Sequence, residues 1–118
     1  MGWLSWRDLM GSGGRKVVRS YGERISMQSV RRAAYFSGRV QGVGFRYTVV
    51  GVAAKLDVTG FVCNLPDGRV QLIAEGSRDE IDRLLEGIQA EMQVYIRDTE
   101  ICDAPATGEF RDFGVRRV

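Results

Sequence analysis

The strongest constraint on the fold comes from the segment after Gly76, where apolar residues recur at helical spacing along one face. Ser77 and Glu80 form a capping box, in which each side chain accepts a hydrogen bond from a backbone N–H that is unpaired at the start of a helix. The apolar residues then fall at i, i+3, i+4 and i+7: Ile81, Leu84, Leu85 and Ile88. Since a helix with a single apolar stripe must bury it, this segment predicts a helix packed on another layer.

The remaining segments predict one more helix and five strands. Apolar residues at positions 49, 52, 53 and 56 predict a helix from Phe45 to Leu56. Alternation of apolar with polar or small residues predicts the strands. The turn Leu65-Pro66-Asp67-Gly68 predicts a hairpin between the second and third strands, because proline and glycine suit the backbone angles of such a turn. The five predicted strands cover residues 32–39, 59–64, 70–75, 93–102 and 110–117.

This order of elements predicts an α+β fold, a ferredoxin-like α/β sandwich. It reads strand, helix, strand, strand, helix, strand, with a short C-terminal strand added. Both helices have one apolar stripe, so we expect them on one face of an antiparallel sheet. The architecture supports many unrelated functions and assigns none by itself.

The chain divides into a flexible extension, residues 1–29, and one domain, residues 30–118. Glycine and serine at positions 11–14 break any periodicity. The extension has five basic and two acidic residues, a charge of +3, against twelve basic and thirteen acidic residues in the domain, a charge of −1. Plain disorder, a start site at Met27, a targeting segment and a partner-binding segment all stay open for the extension.

The balance of charge and hydropathy excludes several partners. A domain so near neutrality lacks the concentrated basic face of nucleic-acid-binding proteins. No apolar run approaches the roughly 18 residues that a membrane span requires. We therefore expect a cytoplasmic protein that binds neither nucleic acid nor membrane, and without a long apolar face we expect a monomer.

The residue types restrict the chemistry further. The chain has no histidine, which removes the commonest general base and the commonest metal ligand. Its two cysteines, Cys63 and Cys102, are far apart in sequence and form no C-x-x-C pair, so we expect free thiols and no metal site. A serine or cysteine triad of the usual kind is excluded as well.

One glycine-rich segment predicts an anion site. The sequence GRVQGVGFR, from Gly38 to Arg46, joins the first strand to the first helix, where backbone N–H groups lack partners. Gly42 and Gly44 can direct successive N–H groups into one concavity, and the helix dipole adds positive charge there. Arg46 adds a guanidinium that matches phosphate oxygens. The alternative is a tight connection with a solvated arginine. The spacing matches neither the P-loop nor the dinucleotide-binding motif.

Asn64, at the end of the second predicted strand, has two interpretations. An asparagine next to a hairpin turn is often only a turn former. Its carboxamide could instead accept a hydrogen bond from a water molecule and orient that water towards a phosphorus atom.

At these residues the sequence strongly resembles the acylphosphatase family. The segment from Gly38 to Arg46 matches the family's first motif, and the similarity extends over residues 31–117. The second motif is matched by Gly60, Phe61, Val62, Asn64, Gly68, Val70 and Gly76. The C-terminal part of the family's pattern is matched by Gly108, Glu109, Phe110 and Phe113.

The resemblance implies an enzyme that hydrolyses acyl phosphates to a carboxylate and inorganic phosphate without a metal or cofactor. Catalytic roles fall on Arg46, which binds the phosphate, and on Asn64, which positions the attacking water. The implied phosphate-binding residues are Gln41, Gly42, Val43, Gly44, Phe45 and Arg46.

Other proteins of similar strand order define the alternatives. One is a non-catalytic ferredoxin-like module that binds an anion or a regulatory small molecule. An RNA-recognition domain would need aromatic residues on its central strands, and residues 69–75 contain none. An acylphosphatase-like domain of a larger maturation enzyme is less compatible with so short a chain.

Overall fold

The computed structural model of the protein describes Leu4–Ser5 and residues 29–117, which form six strands and two helices. The predicted flexible extension over residues 1–29 lies outside the described residues, apart from Leu4–Ser5 and Ser29. The strands are β1 (Leu4–Ser5), β2 (Val30–Gly38), β3 (Val58–Asn64), β4 (Val70–Gly76), β5 (Ile96–Pro105) and β6 (Phe113–Val115). The helices are α1 (Phe45–Ala53) and α2 (Arg78–Met92).

The strands form one sheet in the order β1-β5-β2-β4-β3-β6. All neighbours are antiparallel except β3 and β6, which run parallel, with Val62 opposite Val115. The predicted ferredoxin-like sandwich is confirmed, and the sheet is mixed where an antiparallel one was expected. The strand β6 joins the edge beside β3 after a long connection, and no local pattern encodes the direction of that pairing.

Both helices pack on one face of the sheet. The strand residues beneath them alternate along the chain, with Ala34 and Phe36 on β2 and Leu72 and Ala74 on β4. The apolar stripe of α2 is buried as predicted, and Ser77 caps the helix by accepting a hydrogen bond from the Glu80 N–H at 3.2 Å. The predicted second half of the capping box was wrong: the Glu80 carboxylate accepts from the Asp57 N–H at 2.8 Å and pairs with Arg83. No helix among the described residues combines the length and apolarity that a bilayer crossing requires.

Several predicted boundaries were wrong, and three elements differ most. The helix α1 ends at Ala53, because the next N–H groups, of Lys55 and Leu56, bond three residues back and tighten the chain into a turn. The strand β5 begins at Ile96, three residues late, because α2 continues to Met92 and a further turn follows it. The final strand covers only Phe113–Val115.

An ion network that sequence patterns did not reveal ties α2 to the sheet. Arg32 lies on the helix-facing side of β2, where its side chain is 1% exposed. Its Nε and Nη2 donate to the two carboxylate oxygens of Asp103 at 2.7 and 3.0 Å, and Nη1 donates to Asp82 on α2 at 2.7 Å. Burial opposes the charge, but Asp103 and Asp82 outweigh it and raise the pKa of Arg32.

Candidate active site

A cleft lies where the β2–α1 loop, the end of β3 and the end of β6 meet. Its volume is about 400 Å³. A second cleft of about 280 Å³ shares Arg46, Asn64 and Arg117 with it. Nine residues line the first cleft: Val40, Gly42, Gly44, Phe45, Arg46, Tyr47, Asn64, Val115 and Arg117.

The backbone of the loop is arranged to receive an anion. Gly42 and Gly44 have φ of 78° and 79°, in the left-handed region, whereas no non-glycine residue of the described chain has a positive φ. This alternation directs successive N–H groups into one concavity. Gly44 also begins α1 without any side-chain cap, and no acidic residue occupies the first helical turn. The N–H groups of the loop and first turn, together with the helix dipole, therefore create a positive site.

Arg46 and Asn64 reach the same cleft from different elements. Arg46 lies in the first turn of α1 and is half-buried, and its guanidinium has no ion pair or hydrogen bond to any described residue. Asn64 ends β3, and its Oδ1 is buried without a hydrogen-bond partner among the described residues. A buried acceptor of this kind is rare in folded proteins, because leaving it unpaired costs free energy. The acceptor capacity of this oxygen is therefore unused within the described residues, and the residue lines both clefts.

The turn-forming interpretation of Asn64 finds little support in the contacts. The following hairpin is closed by backbone hydrogen bonds from Leu65 N–H to the Arg69 carbonyl at 2.8 Å and from Gly68 N–H to the Leu65 carbonyl at 3.1 Å. The Asn64 side-chain oxygen contributes to neither.

The side chain of Gln41 fastens the loop to this hairpin. Its Nε2 donates to the Leu65 carbonyl at 2.8 Å and to the Arg69 carbonyl at 3.0 Å. Because Leu65 directly follows Asn64, this clamp fixes the loop relative to the asparagine.

The six predicted phosphate-binding residues take different positions. Gly42, Gly44, Phe45 and Arg46 line the cleft, whereas Gln41 and Val43 do not. The ring of Phe45 is buried in the core, with its centroid 5.1 Å from that of Phe36, so only its backbone is suited to an anion.

Cys63 directly precedes Asn64 on β3, and its side chain lies on the opposite face of the sheet. Its thiol donates to the Gln71 side-chain oxygen at 3.3 Å, and Gln71 in turn donates to the Tyr35 hydroxyl at 3.0 Å. Burial raises the pKa of the Cys63 thiol, although the charges of Arg116 and Arg46 act in the opposite direction. Cys63 is therefore a neutral thiol at neutral pH. As predicted, Cys63 and Cys102 are both free cysteines.

The C-terminal arginines were missed by sequence reasoning. Arg116 stacks over the ring of Phe61 at 4.2 Å and lines the second cleft, while Arg117 lines both clefts. Their proximity to Asn64 follows from the parallel pairing of β6 with β3, in which the Arg116 N–H donates to the Val62 carbonyl at 2.9 Å. The basic pair was visible in the sequence, but its place depends on that pairing.

The described residues contain no group of three or more His, Cys, Asp or Glu side chains arranged to hold a metal ion. No acidic residue lines either cleft at the loop. The positive charge of the site therefore has no counter-charge within its walls.

These features define a class: a ferredoxin-like α/β sandwich with an anion-receptive strand-to-helix loop. The model of one family, Acylphosphatase, matches residues 32–115, and the chain belongs to the acylphosphatase family.

Individual relatives agree with this assignment. The chain is 42% identical over 85 residues to an acylphosphatase of Acaryochloris marina, in an alignment that covers 71% of this chain and 90% of that protein. The structure of an acylphosphatase from Coxiella burnetii is similar with a TM-score of 0.66 and 35% identity, covering 75% of this chain and 94% of that one. The crystal structure of acylphosphatase from Bacillus subtilis is similar with a TM-score of 0.67 and 28% identity, covering 74% of this chain and 98% of that one.

Proposed function

We propose that the protein hydrolyses the carboxyl–phosphate bond of acyl phosphates, with Arg46 and the 41–46 backbone holding the phosphate and Asn64 positioning the attacking water. The observation that carries this proposal is the buried Oδ1 of Asn64, which has no hydrogen-bond partner in the described part of the chain, at the same cleft as a guanidinium with no ion pair there. An anion site alone would explain the loop and the arginine. A water-binding acceptor beside them supports hydrolysis.

The phosphate group binds where the positive charge is concentrated. The N–H groups of the loop and first helical turn donate to phosphoryl oxygens, and the guanidinium of Arg46 adds a bidentate, charge-assisted pair. Arg117, in the wall of the cleft, adds further positive charge for a substrate that carries about two negative charges. Together they bind the phosphate and stabilise the charge that spreads over its oxygens in the transition state.

Water then attacks phosphorus. Asn64 accepts a hydrogen bond from the water through Oδ1 and so orients an oxygen lone pair towards phosphorus. A new O–P bond forms, the bond from phosphorus to the carboxyl oxygen breaks, and the electron pair leaves with the carboxylate. The proton lost by the water passes to a phosphoryl oxygen.

The leaving group explains why so few residues are sufficient. The pKa of a carboxylic acid is about 4, so the departing carboxylate needs neither a general acid nor a metal ion. The transition state is loose, and positioning with electrostatic stabilisation carries the rate. The neutral Cys63 thiol, paired with Gln71, is not the nucleophile.

Phosphate release from benzoyl phosphate tests the proposal. Arg46→Ala should weaken competitive inhibition by inorganic phosphate by about 10²- to 10³-fold, the contribution of a charge-assisted bidentate pair. Arg46→Lys should recover part of this, because a lysine keeps the charge but not the fork. Arg83→Ala is the matched control, since Arg83 is exposed on α2 and pairs with Glu80. Wild-type turnover should be insensitive to a chelator. Absence of hydrolysis alongside intact phosphate binding would favour a non-catalytic anion-binding module.

We further propose that the protein is a cytoplasmic monomer that binds neither nucleic acid nor membrane. The two free thiols fit a reducing compartment, and the domain is close to electrical neutrality. Exposed large apolar residues in the described chain are Tyr47, Val94 and Val115, two of which belong to the cleft. Light scattering after size exclusion tests the monomer: a dimer mass would refute it.

A further inference from the structure

Two exposed apolar side chains flank the phosphate-binding elements. Tyr47 is 86% exposed and Val115 is 46% exposed, and both line the cleft that contains Arg46 and Asn64. Val94, which is 81% exposed, lies outside it. Single exposed apolar residues are ordinary on protein surfaces. Here two of the three large ones within the described residues adjoin the site where a substrate must bind.

The two side chains approach the cleft from different directions. Tyr47 follows Arg46 on α1, and successive helical residues diverge by about 100°, so the ring extends the wall beside the arginine. Val115 lies on β6 opposite Val62, which precedes Asn64 by two residues on β3. The apolar surface therefore borders both the phosphate-holding and the water-holding side of the cleft.

A substrate held by its phosphate must place its remaining atoms somewhere in this cleft. Once the loop and Arg46 take the phosphate, the acyl group is the only part left to meet the apolar wall. Buried Val40 and the Phe45 ring lie behind that wall in the core. An apolar acyl group that covers exposed apolar surface gains free energy in proportion to the area removed from water.

We propose that Tyr47 and Val115 form an acyl subsite, through which the enzyme selects acyl phosphates with aromatic or extended aliphatic acyl groups over short ones. This inference rests on the proposed hydrolysis of acyl phosphates and adds the class of substrate. Tyr47 and Val115 act as specificity-determining residues, since neither has a group that the reaction requires.

The experiment compares kcat/KM for benzoyl phosphate and acetyl phosphate in the wild type and in single variants. Tyr47→Ala should lower the value for benzoyl phosphate about five- to tenfold, and Val115→Ala about two- to fourfold, from the contact area lost. The value for acetyl phosphate should change less than about twofold, because its methyl group covers little of either side chain. The loss should appear mainly in KM.

Three controls separate selectivity from general damage. Val94→Ala removes an apolar, exposed side chain outside the cleft and should leave kcat/KM for both substrates unchanged. Tyr47→Phe keeps the aromatic ring and should keep the preference for benzoyl phosphate over acetyl phosphate. Competitive inhibition by inorganic phosphate, which has no acyl group, should be unchanged in all of these variants.

Two results would overturn the acyl subsite while leaving the hydrolase intact. The first is that Tyr47→Ala and Val115→Ala lower kcat/KM for benzoyl phosphate and for acetyl phosphate in equal proportion, or change neither value. The second is a wild-type enzyme with a higher kcat/KM for 4-carboxybenzoyl phosphate than for benzoyl phosphate, together with an Arg117→Gln variant that lacks this preference. That result would mean that the enzyme selects the acyl group by its charge. Failure of the wild type to hydrolyse any of the three substrates would overturn the proposed function together with the subsite.

Discussion

Replacing Asn64 with alanine should lower the activity of the protein and raise its stability. Oδ1 of Asn64 is buried and has no hydrogen-bond partner among the described residues. An unpaired buried acceptor costs about 1–3 kcal/mol, and the packing contacts that alanine loses offset part of the gain from removing it. The hairpin beside it is closed by backbone hydrogen bonds that involve Leu65, Gly68 and Arg69, all of which alanine leaves in place.

The magnitudes follow from that geometry. Asn64→Ala should raise the free energy of unfolding by about 0.5–1 kcal/mol, which for a domain of this size is a rise in Tm of about 2–8 °C. At the same time kcat for benzoyl phosphate should fall about 10²- to 10³-fold, the usual cost of removing one positioned polar group. Inhibition by inorganic phosphate should stay within about twofold of the wild type, because the phosphate is held by Arg46 and the loop.

Thermal unfolding, steady-state kinetics and phosphate inhibition on the same preparations check all three quantities. Asn64→Asp is a second variant: it keeps an acceptor but adds a negative charge that repels the phosphate, so both turnover and phosphate binding should weaken. Gln93→Ala, at an exposed amide after α2, is the control. A loss of stability in Asn64→Ala of more than about 1 kcal/mol, with activity retained, would mean that Asn64 is a turn former and that water positioning is wrong.

Three further predictions concern the contacts around the site. Gln41→Ala removes two hydrogen bonds to the hairpin and should cost about 1–2 kcal/mol in urea unfolding and lower kcat about tenfold; unchanged kcat in a destabilised protein would show that the clamp does not position Asn64. Arg32→Met removes the buried guanidinium that joins Asp82 to Asp103. Because Asp103 keeps its ion pair with Arg78, the cost should be about 2–3 kcal/mol in chemical denaturation at pH 7, and a loss below about 1 kcal/mol would contradict the tie between α2 and the sheet. Burial opposes the ionised form of Glu75, but hydrogen bonds from Thr107 and Gly108 and the charge of Arg31 outweigh it and lower the pKa of Glu75. Its ionised form therefore stabilises the fold above the unfolded pKa of about 4.3, and this contribution disappears as the pH falls through the lower folded value. Glu75→Gln should flatten the loss of stability in that acid range, and a denaturation series from pH 3 to 7 with an unchanged slope would contradict this.

The sequence was sufficient for features whose physics is local. The Ser77 cap and the apolar stripe of α2 define that helix within the chain itself, and the left-handed angles of Gly42 and Gly44 follow from what only glycine adopts readily. The motif around Arg46 and the position of Asn64 at the end of a strand before a hairpin were likewise readable from neighbouring residues. The boundaries of α1 and β5 were less certain because helix ends depend on competing turns of similar energy.

The tertiary structure decided what depends on residues distant in the chain. The alternation in β2 places Arg32 on the core side, but only the fold brings Asp82 and Asp103 close enough to keep it charged there. Gln41 is predicted to hold phosphate through its backbone in the loop, but only the fold shows that its side chain binds a hairpin more than twenty residues away. The apolar wall of the cleft has the same origin: the direction in which β6 joins β3 brings Val115 and Arg117 beside Asn64. The sequence by itself therefore determined the helix, the loop and its arginine, because those rest on local geometry. The walls around them arose only when strands far apart in the chain paired.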